Sequence, residues 1–338
     1  GLLRFDTNIN IEPVLKKGAN VVGEIRSRNR EYRDEYIVIG AHFDHIGYGG
    51  PGSGSRKPDS VQVHPGADDN ASGTAGLLEL AQKLSSNRNQ LKRSFLLVGF
   101  DAEEKGLLGS KYFVENSPLD MKNIVSMINM DMIGRMSDSS FTVGGVGTSP
   151  SFELLLDSLK TNRPFELIMD KPGFGPSDHA SFYTKDIPVL FFFSGIHDDY
   201  HTPLDTWQRI NLRGEKYILD FIYDVVFDLS RFPMRPIFQE AGPKTNQMGT
   251  PTRFNVTLGI MPSYTSIKKG LEIDGISKSD GPAAKAGMKK GDVIKSINNK
   301  PISNIYEYMD RLGNLKSGIT IPVIIERNGQ EKVLQVTF

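Results

Sequence analysis

Tyr36-Ile37-Val38-Ile39-Gly40-Ala41 is a continuous apolar run, and it leads straight into His42-Phe43-Asp44-His45. Six such residues, rich in β-branched types, suit a strand buried on both faces. The strand would place His42, Asp44 and His45 just past its C-terminal end. The arrangement recurs along the chain. Ser94-Phe95-Leu96-Leu97-Val98-Gly99-Phe100 leads into Asp101-Ala102-Glu103-Glu104, and the run Ile124 to Met130 ends at Asp131. Val189-Leu190-Phe191-Phe192-Phe193 precedes His197-Asp198-Asp199-Tyr200-His201-Thr202-Pro203. A further strand is expected at Asn20 to Ile25.

Helical stretches alternate with these strands. Gly66-Ala67-Asp68-Asp69-Asn70-Ala71-Ser72-Gly73 reads as a tight turn opening a helix from Ala71 to Ser86, with Leu77, Leu80, Ala81 and Leu84 on one face. Taken alone, Asp68, Asp69 and Asn70 would only cap that helix. Other helices are expected at Leu107–Asn116, Ser151–Lys160 and Gly214–Arg231. Alternation of this kind argues an α/β sheet flanked by helices, with its site outside the carboxyl ends of the strands. His42, Glu103, Glu104, Asp131 and His201 all fall there.

The pattern changes after residue 232. Residues 1–232 form the first unit, residues 233–252, rich in Pro and Gly, read as a linker, and 253–338 form a small mostly-β unit. Its expected strands are Phe254–Met261, Leu271–Ser277, Asp292–Ile297, Ile319–Glu326 and Lys332–Phe338, with short helices at Pro282–Ala286 and Asn304–Leu312. Asn328-Gly329 signals a hairpin between the last two strands.

Composition narrows the chemistry. The 338 residues are 38% apolar and 24% charged, with zero formal net charge. This suits a soluble globular protein and gives no sign of a nucleic-acid partner. No apolar run approaches the roughly 20 residues of a membrane span. There is no cysteine, so any metal must be held by His, Asp and Glu. The six histidines are His42, His45, His64, His179, His197 and His201, all in the first unit. Such donors without sulfur suit Zn²⁺, Mn²⁺ or Co²⁺. One carboxylate can bridge two metals, and Asp69, fixed in its turn, is the natural bridge. The metals would generate the hydroxide, and of the adjacent Glu103 and Glu104 one can serve as ligand and one as base. The chain begins at Gly1 rather than Met, which reads as a processed or truncated start and leaves targeting open.

Five stretches in order, His42-Phe43-Asp44, Gly66 to Gly73, Asp101 to Leu107, Asn129-Met130-Asp131 and Tyr200-His201-Thr202-Pro203, resemble the zinc aminopeptidases of the M28 family. The resemblance covers roughly residues 20 to 230. It implies a mixed, mostly parallel sheet with helices on both faces and two zinc ions per chain. His42 and Asp131 would complete one zinc site and Glu104 and His201 the other, with Asp69 shared. Glu103 would be the general base for the metal-bound water, Asp44 would orient the His42 imidazole, and Tyr200 would donate to the developing oxyanion. The substrates would be peptides with a free N-terminus. The expected location is periplasmic or extracellular.

Other residues carry plainer readings. Asp68 is a turn or capping residue. His45 and His64 are loop residues or stand behind a ligand, with direct ligation as the lesser alternative, and His197, Asp198 and Asp199 are polar loop residues. Asp205 stands behind a ligand or forms a turn, and Ser177-Asp178-His179 resembles a family motif without an assigned role. His179 is open between pocket lining and packing. Phe191 to Phe193 are core strand.

Leu258-Gly259-Ile260 and the stretch Gly281 to Ile294 resemble a bacterial-type PDZ domain, which implies binding of a peptide C-terminus as an added strand. Pro262 lacks the N–H such a strand needs, so a purely structural or docking role stays open. Two rivals to the aminopeptidase also remain: a single-zinc glutaminyl cyclase of the same fold, and a non-catalytic binding protein.

Overall fold

A sheet of seven strands organises the first part of the chain. The computed structural model describes residues 16–57, 59–244, 256–262, 269–278, 280–302 and 305–338. In order come β1 (Val21–Ile25), β2 (Tyr36–His42), β3 (Gly47–Gly49), β4 (Val61–His64), α1 (Gly73–Ser86), β5 (Ser94–Phe100) and α2 (Leu108–Glu115). β6 (Ile124–Met130), β7 (Ser140–Gly144), α3 (Pro150–Lys160), β8 (Glu166–Met169), α4 (His179–Tyr183), β9 (Val189–Phe193) and α5 (Leu212–Arg231) follow. The strand order is β1-β5-β2-β6-β9-β7-β8. β5, β2, β6 and β9 run parallel, while β1 on β5 and β7 on β9 are antiparallel. The sheet is therefore mixed and mostly parallel.

Alternate residues of β2 explain its unbroken apolarity. Ile37, Ile39 and Ala41 enter a core with Leu77, Leu80 and Leu84 of α1 and Ile218, Phe221 and Val225 of α5. Tyr36 and Val38 enter the opposite core, with Phe113 of α2 and Phe182 of α4. Both faces of the strand are covered, so neither needs polar residues. From β2 the chain crosses through α1 to β5 on one side, then through α2 to β6 on the other. The crevice at the carboxyl ends of β2 and β6 is the topological switch point where such sheets bind ligands.

Several elements depart from the sequence pattern. α1 begins at Gly73, because Asp69 and Asn70 hold non-helical backbone angles in a wider turn over residues 67–72. β7 and β8 carry no long apolar run, and β8 is only half covered. β3 and β4 form a hairpin on either side of a Gly/Ser-rich stretch, and at three and four residues each is too short for its pattern to register. α4 is five residues long, too short for helical periodicity to register.

The second unit has β10 (Ile260–Pro262), β11 (Leu271–Ile276), α6 (Pro282–Lys285), β12 (Val293–Ile297), β13 (Lys300–Pro301), α7 (Ile305–Gly313), β14 (Thr320–Arg327) and β15 (Gln330–Thr337). The order is β10-β11-β12-β14-β15, with β13 paired to β12. Asn328 and Gly329 take φ of 53° and 75° and close the expected hairpin. Pro262 sits on the edge strand β10 opposite Ile273 of β11, and the register of that pair shifts between Met261 and Pro262. The Arg327 guanidinium donates to both Asp292 oxygens, at 2.6 and 2.7 Å, fixing the Lys289–Asp292 turn to β14. The expected strand start at Phe254 and helix start at Asn304 lie outside the described residues.

The stretch read as a linker is anchored over its first half. Gln239 N–H donates to the Thr148 carbonyl, Gly173 N–H to that of Ala241, and Tyr183 O–H to that of Gly242. Residues 245–252 lie outside the described residues. No helix among the described residues is long and apolar enough to cross a membrane.

Candidate metal centre

The ends of β2, β5 and β6, the turn before α1 and the loop after β9 converge on one cluster of carboxylates and imidazoles. His42 Nε2 lies 3.4 Å from Asp69 Oδ1 and 3.3 Å from Asp131 Oδ1. His201 Nε2 lies 3.1 Å from Asp69 Oδ2 and 3.3 Å from Glu104 Oε2. Asp69 thus faces one imidazole with each oxygen. Ligand atoms of His42, Asp69 and Asp131 lie within 4.8 Å of one another, as do those of His45, Asp69 and Glu104. Two donor groups share one carboxylate, a set that fits a pair of zinc ions.

Several of these side chains are held from behind. The His42 ring nitrogen Nδ1 faces the Asp44 backbone carbonyl at 3.1 Å, leaving Nε2 toward the carboxylates. The Asp44 carboxylate lies 3.6 Å from that ring, and it accepts the backbone N–H groups of Glu103 and Glu104 at 2.9 and 3.2 Å. Its role is thus wider than orienting His42, because it also ties β2 to the end of β5. His201 Nδ1 faces the carbonyl of Gly54, and Arg56 Nη1 donates to the carbonyls of Asp198 and Tyr200. The β3–β4 hairpin therefore grips the His201 loop from outside, a contact nothing in its Gly/Ser-rich sequence announces. The Asp69 turn needs Gly66, whose φ is +60° and where a Cβ would meet the Asp69 carbonyl at 2.4 Å. Ala102, Met132 and His201 also take positive φ, of 55° each, at or beside the cluster.

The cluster carries excess negative charge. Burial opposes ionisation of Asp69, but the His201 and His42 imidazoles hold its carboxyl well below the usual range. Burial opposes the charged form of His201 as well, yet Asp69 and Glu104 push it up to about 10. Glu103 has no such partner. Burial, with Asp131, Asp178 and Glu104 nearby, pushes it up to about 9 against the pull of His42. A site that raises both its bases and its uncompensated acid favours added cations.

Beside the cluster opens a pocket lined by Glu103, Met132, Pro176, Phe191, Phe193, Ile196 and Tyr200, among others. Phe191 and Phe193 were expected to be core alone. Residues 191 and 193 of β9 face the pocket because side chains alternate along a strand, whereas Leu190 and Phe192 enter the main core. The Tyr200 ring stacks on His201 at 3.8 Å.

Other expectations change too. Asp68 lies in the turn, one of its two readings, and is fully buried there. Its Oδ1 accepts Gly134 N–H at 2.6 Å, and its Oδ2 faces His197 Nε2 at 3.2 Å. His197 is the polar loop residue its sequence suggests, and it also serves as a partner of the turn. Asp199 pairs with Arg135 and Arg209, and His64 with Ser55 Oγ. Asp205 is buried, and its carboxylate accepts the backbone N–H groups of Asp68 and Asp69. His179 packs behind Phe191, with ring centres 4.4 Å apart. His45 belongs to the cluster itself, its Nδ1 lying 2.9 Å from Glu104 Oε1. Asp68, His197 and Asp205 act across long sequence separations that spacing could not reveal.

Comparison with known proteins gives the family and the fold. The family profile of Peptidase family M28 matches residues 20–226, and that of the PDZ domain matches 261–338. Aminopeptidase YwaD of Bacillus subtilis is 26% identical over 227 residues, covering 64% of this chain and 46% of the relative. The solved structure of a zinc aminopeptidase from Bacillus subtilis superposes with a TM-score of 0.52 at 26% identity, covering 66% of this chain and 53% of that one. A Porphyromonas gingivalis glutaminyl cyclase shares the fold, with a TM-score of 0.50 at 22% identity over 62% of this chain and 75% of that one. The chain spans about half the length of the aminopeptidases it matches.

Proposed function

Because the chain belongs to peptidase family M28, we propose that it is a zinc-dependent aminopeptidase with two metal positions joined by Asp69. The supporting observation is the double donor set. His42 and Asp131 stand on one side of Asp69, His201 and Glu104 on the other, and Glu103 stands in the pocket beside them. Zinc bound there would polarise the scissile carbonyl and lower the pKa of the attacking water.

The chain's own residues supply the rest. Glu103, partly buried at the pocket and without an imidazole of its own, takes the proton from the attacking water and delivers it to the departing amine. The same group is restored at the end of the cycle, so protons balance. Charge added among the neighbouring carboxylates lowers the Glu103 pKa from its raised value toward neutrality, where a base works best. Tyr200 borders the pocket, where its phenol can donate to the developing oxyanion. The apolar walls of Met132, Phe191, Phe193 and Ile196 suit an apolar N-terminal side chain. In the second unit, the open edge of β10 is the place for a peptide C-terminus, with Pro262 limiting how far a ladder could extend.

The test is metal content per chain, together with hydrolysis of a panel of aminoacyl reporters before and after chelation. About two zinc ions and chelator-sensitive release of Leu, Met or Phe ahead of Asp or Lys are expected. One zinc with cyclisation of N-terminal glutamine would move the reading to a cyclase. Release of nothing from any reporter would leave a binding protein on this fold.

A further inference from the structure

His45 lies three residues beyond His42 and points its Nδ1 into the same cluster. That atom is 2.9 Å from Glu104 Oε1 and 3.7 Å from Asp69 Oδ2. The distance to Glu104 is short, and against the effect of burial the His201 and His45 rings draw that carboxyl down, yet the contact leaves both atoms without a well-aligned hydrogen bond. Neither ring nitrogen of His45 nor Glu104 Oε1 has a hydrogen-bond partner among the described residues, although all are buried. Two buried polar atoms that touch without bonding call for a third body. The ring is held in place: it stands edge-on to His201 at 5.6 Å, and a Cβ on Gly66 would come within 2.7 Å of its Cγ and Cδ2.

We propose that His45 is a ligand at the metal position served by Glu104 and His201. That position then has two imidazoles and two carboxylates, whereas the His42 position has one imidazole and two carboxylates. The richer nitrogen set binds Zn²⁺ and Co²⁺ more tightly, so the two positions fill in order. The inference rests on the two-metal reading above.

The test titrates the metal-free full chain with Zn²⁺ against a chromophoric chelator, and with Co²⁺ by visible absorption. The wild type should show a tight and a weaker class of site. His45→Ala should weaken the tight class by about tenfold or more, change the spectrum of the first Co²⁺ equivalent, and leave the weaker class alone. His45→Asn, whose side-chain oxygen can fall near the place of Nδ1, should recover part of the loss. It also carries the comparison if the melting temperature of metal-free His45→Ala falls. Wild-type affinities and spectrum in both variants would overturn the role of His45 while leaving the two-metal reading intact. A wild-type chain that takes up fewer than two zinc ions would overturn both.

Discussion

The Asp205 carboxylate accepts the backbone N–H of Asp69 at 3.1 Å, and that of Asp68 at 3.0 Å, across 137 residues of chain in the second case. A buried anion is thus stationed behind the turn that carries the shared donor of the metal centre, and the Ala67 N–H also meets the Asp205 carbonyl. Asp205→Ala leaves two buried donors without acceptors. The expected cost is about 1–3 kcal/mol of stability for each donor and about 10–100-fold in zinc affinity. Urea unfolding and zinc titration read the two effects separately. Unchanged zinc affinity would remove Asp205 from the positioning of Asp69.

Glu103 touches none of the imidazoles that hold Asp69 and Glu104. Glu103→Ala should therefore lower kcat by about 10²–10⁴ while the chain still binds its full complement of zinc. Near-normal turnover with metal in place would end its assignment as the base.

Tyr200 offers two separable contributions, a ring stacked on His201 and a phenol at the pocket. Tyr200→Phe keeps the first and removes the second. If the phenol donates to the oxyanion, kcat should fall about 10²–10³-fold with KM and metal content unchanged. An unaltered kcat would make Tyr200 a wall of the pocket only.

Burial pushes His179 down to about 3, against 6.5 for an exposed histidine. Below pH 6.5 the unfolded chain therefore takes up a proton that the folded chain refuses until about pH 3. Stability contributed by neutral His179 is complete above pH 6.5 and is lost as pH falls from there toward 3. Between pH 8 and pH 5 the loss is on the order of 2 kcal/mol. His179→Gln should show a smaller fall over this range by that amount, in paired urea unfolding curves. Burial pushes the adjacent Asp178 up to about 7, and this works in the opposite direction. Comparing variant with wild type at each pH isolates the histidine.

The four central parallel strands were legible because burial on both faces leaves an unmistakable sequence, and β5, β6 and β9 keep the boundaries that their apolar runs suggest. The chemistry was legible for a related reason: His42 and Asp131 sit at the ends of such strands. What escaped is whatever depends on pairing at a distance. Asp68 looks like a cap until His197 and Gly134 are brought to it. The loop at residues 50–57 looks like a spacer until Gly54 meets His201. Phe191 and Phe193 look like core because alternation within a fully apolar strand leaves no mark when one face meets a pocket instead of a helix.

Asp44 joins the two halves of the centre, its carbonyl on the His42 ring and its carboxylate on the amides of Glu103 and Glu104. One residue thus holds the His42 ring together with the backbone of Glu103 and Glu104, and on the two-metal reading it couples a metal position to the base. Redesign aimed at one metal alone must accordingly leave Asp44 untouched, and random changes there should disable metal uptake and proton transfer together.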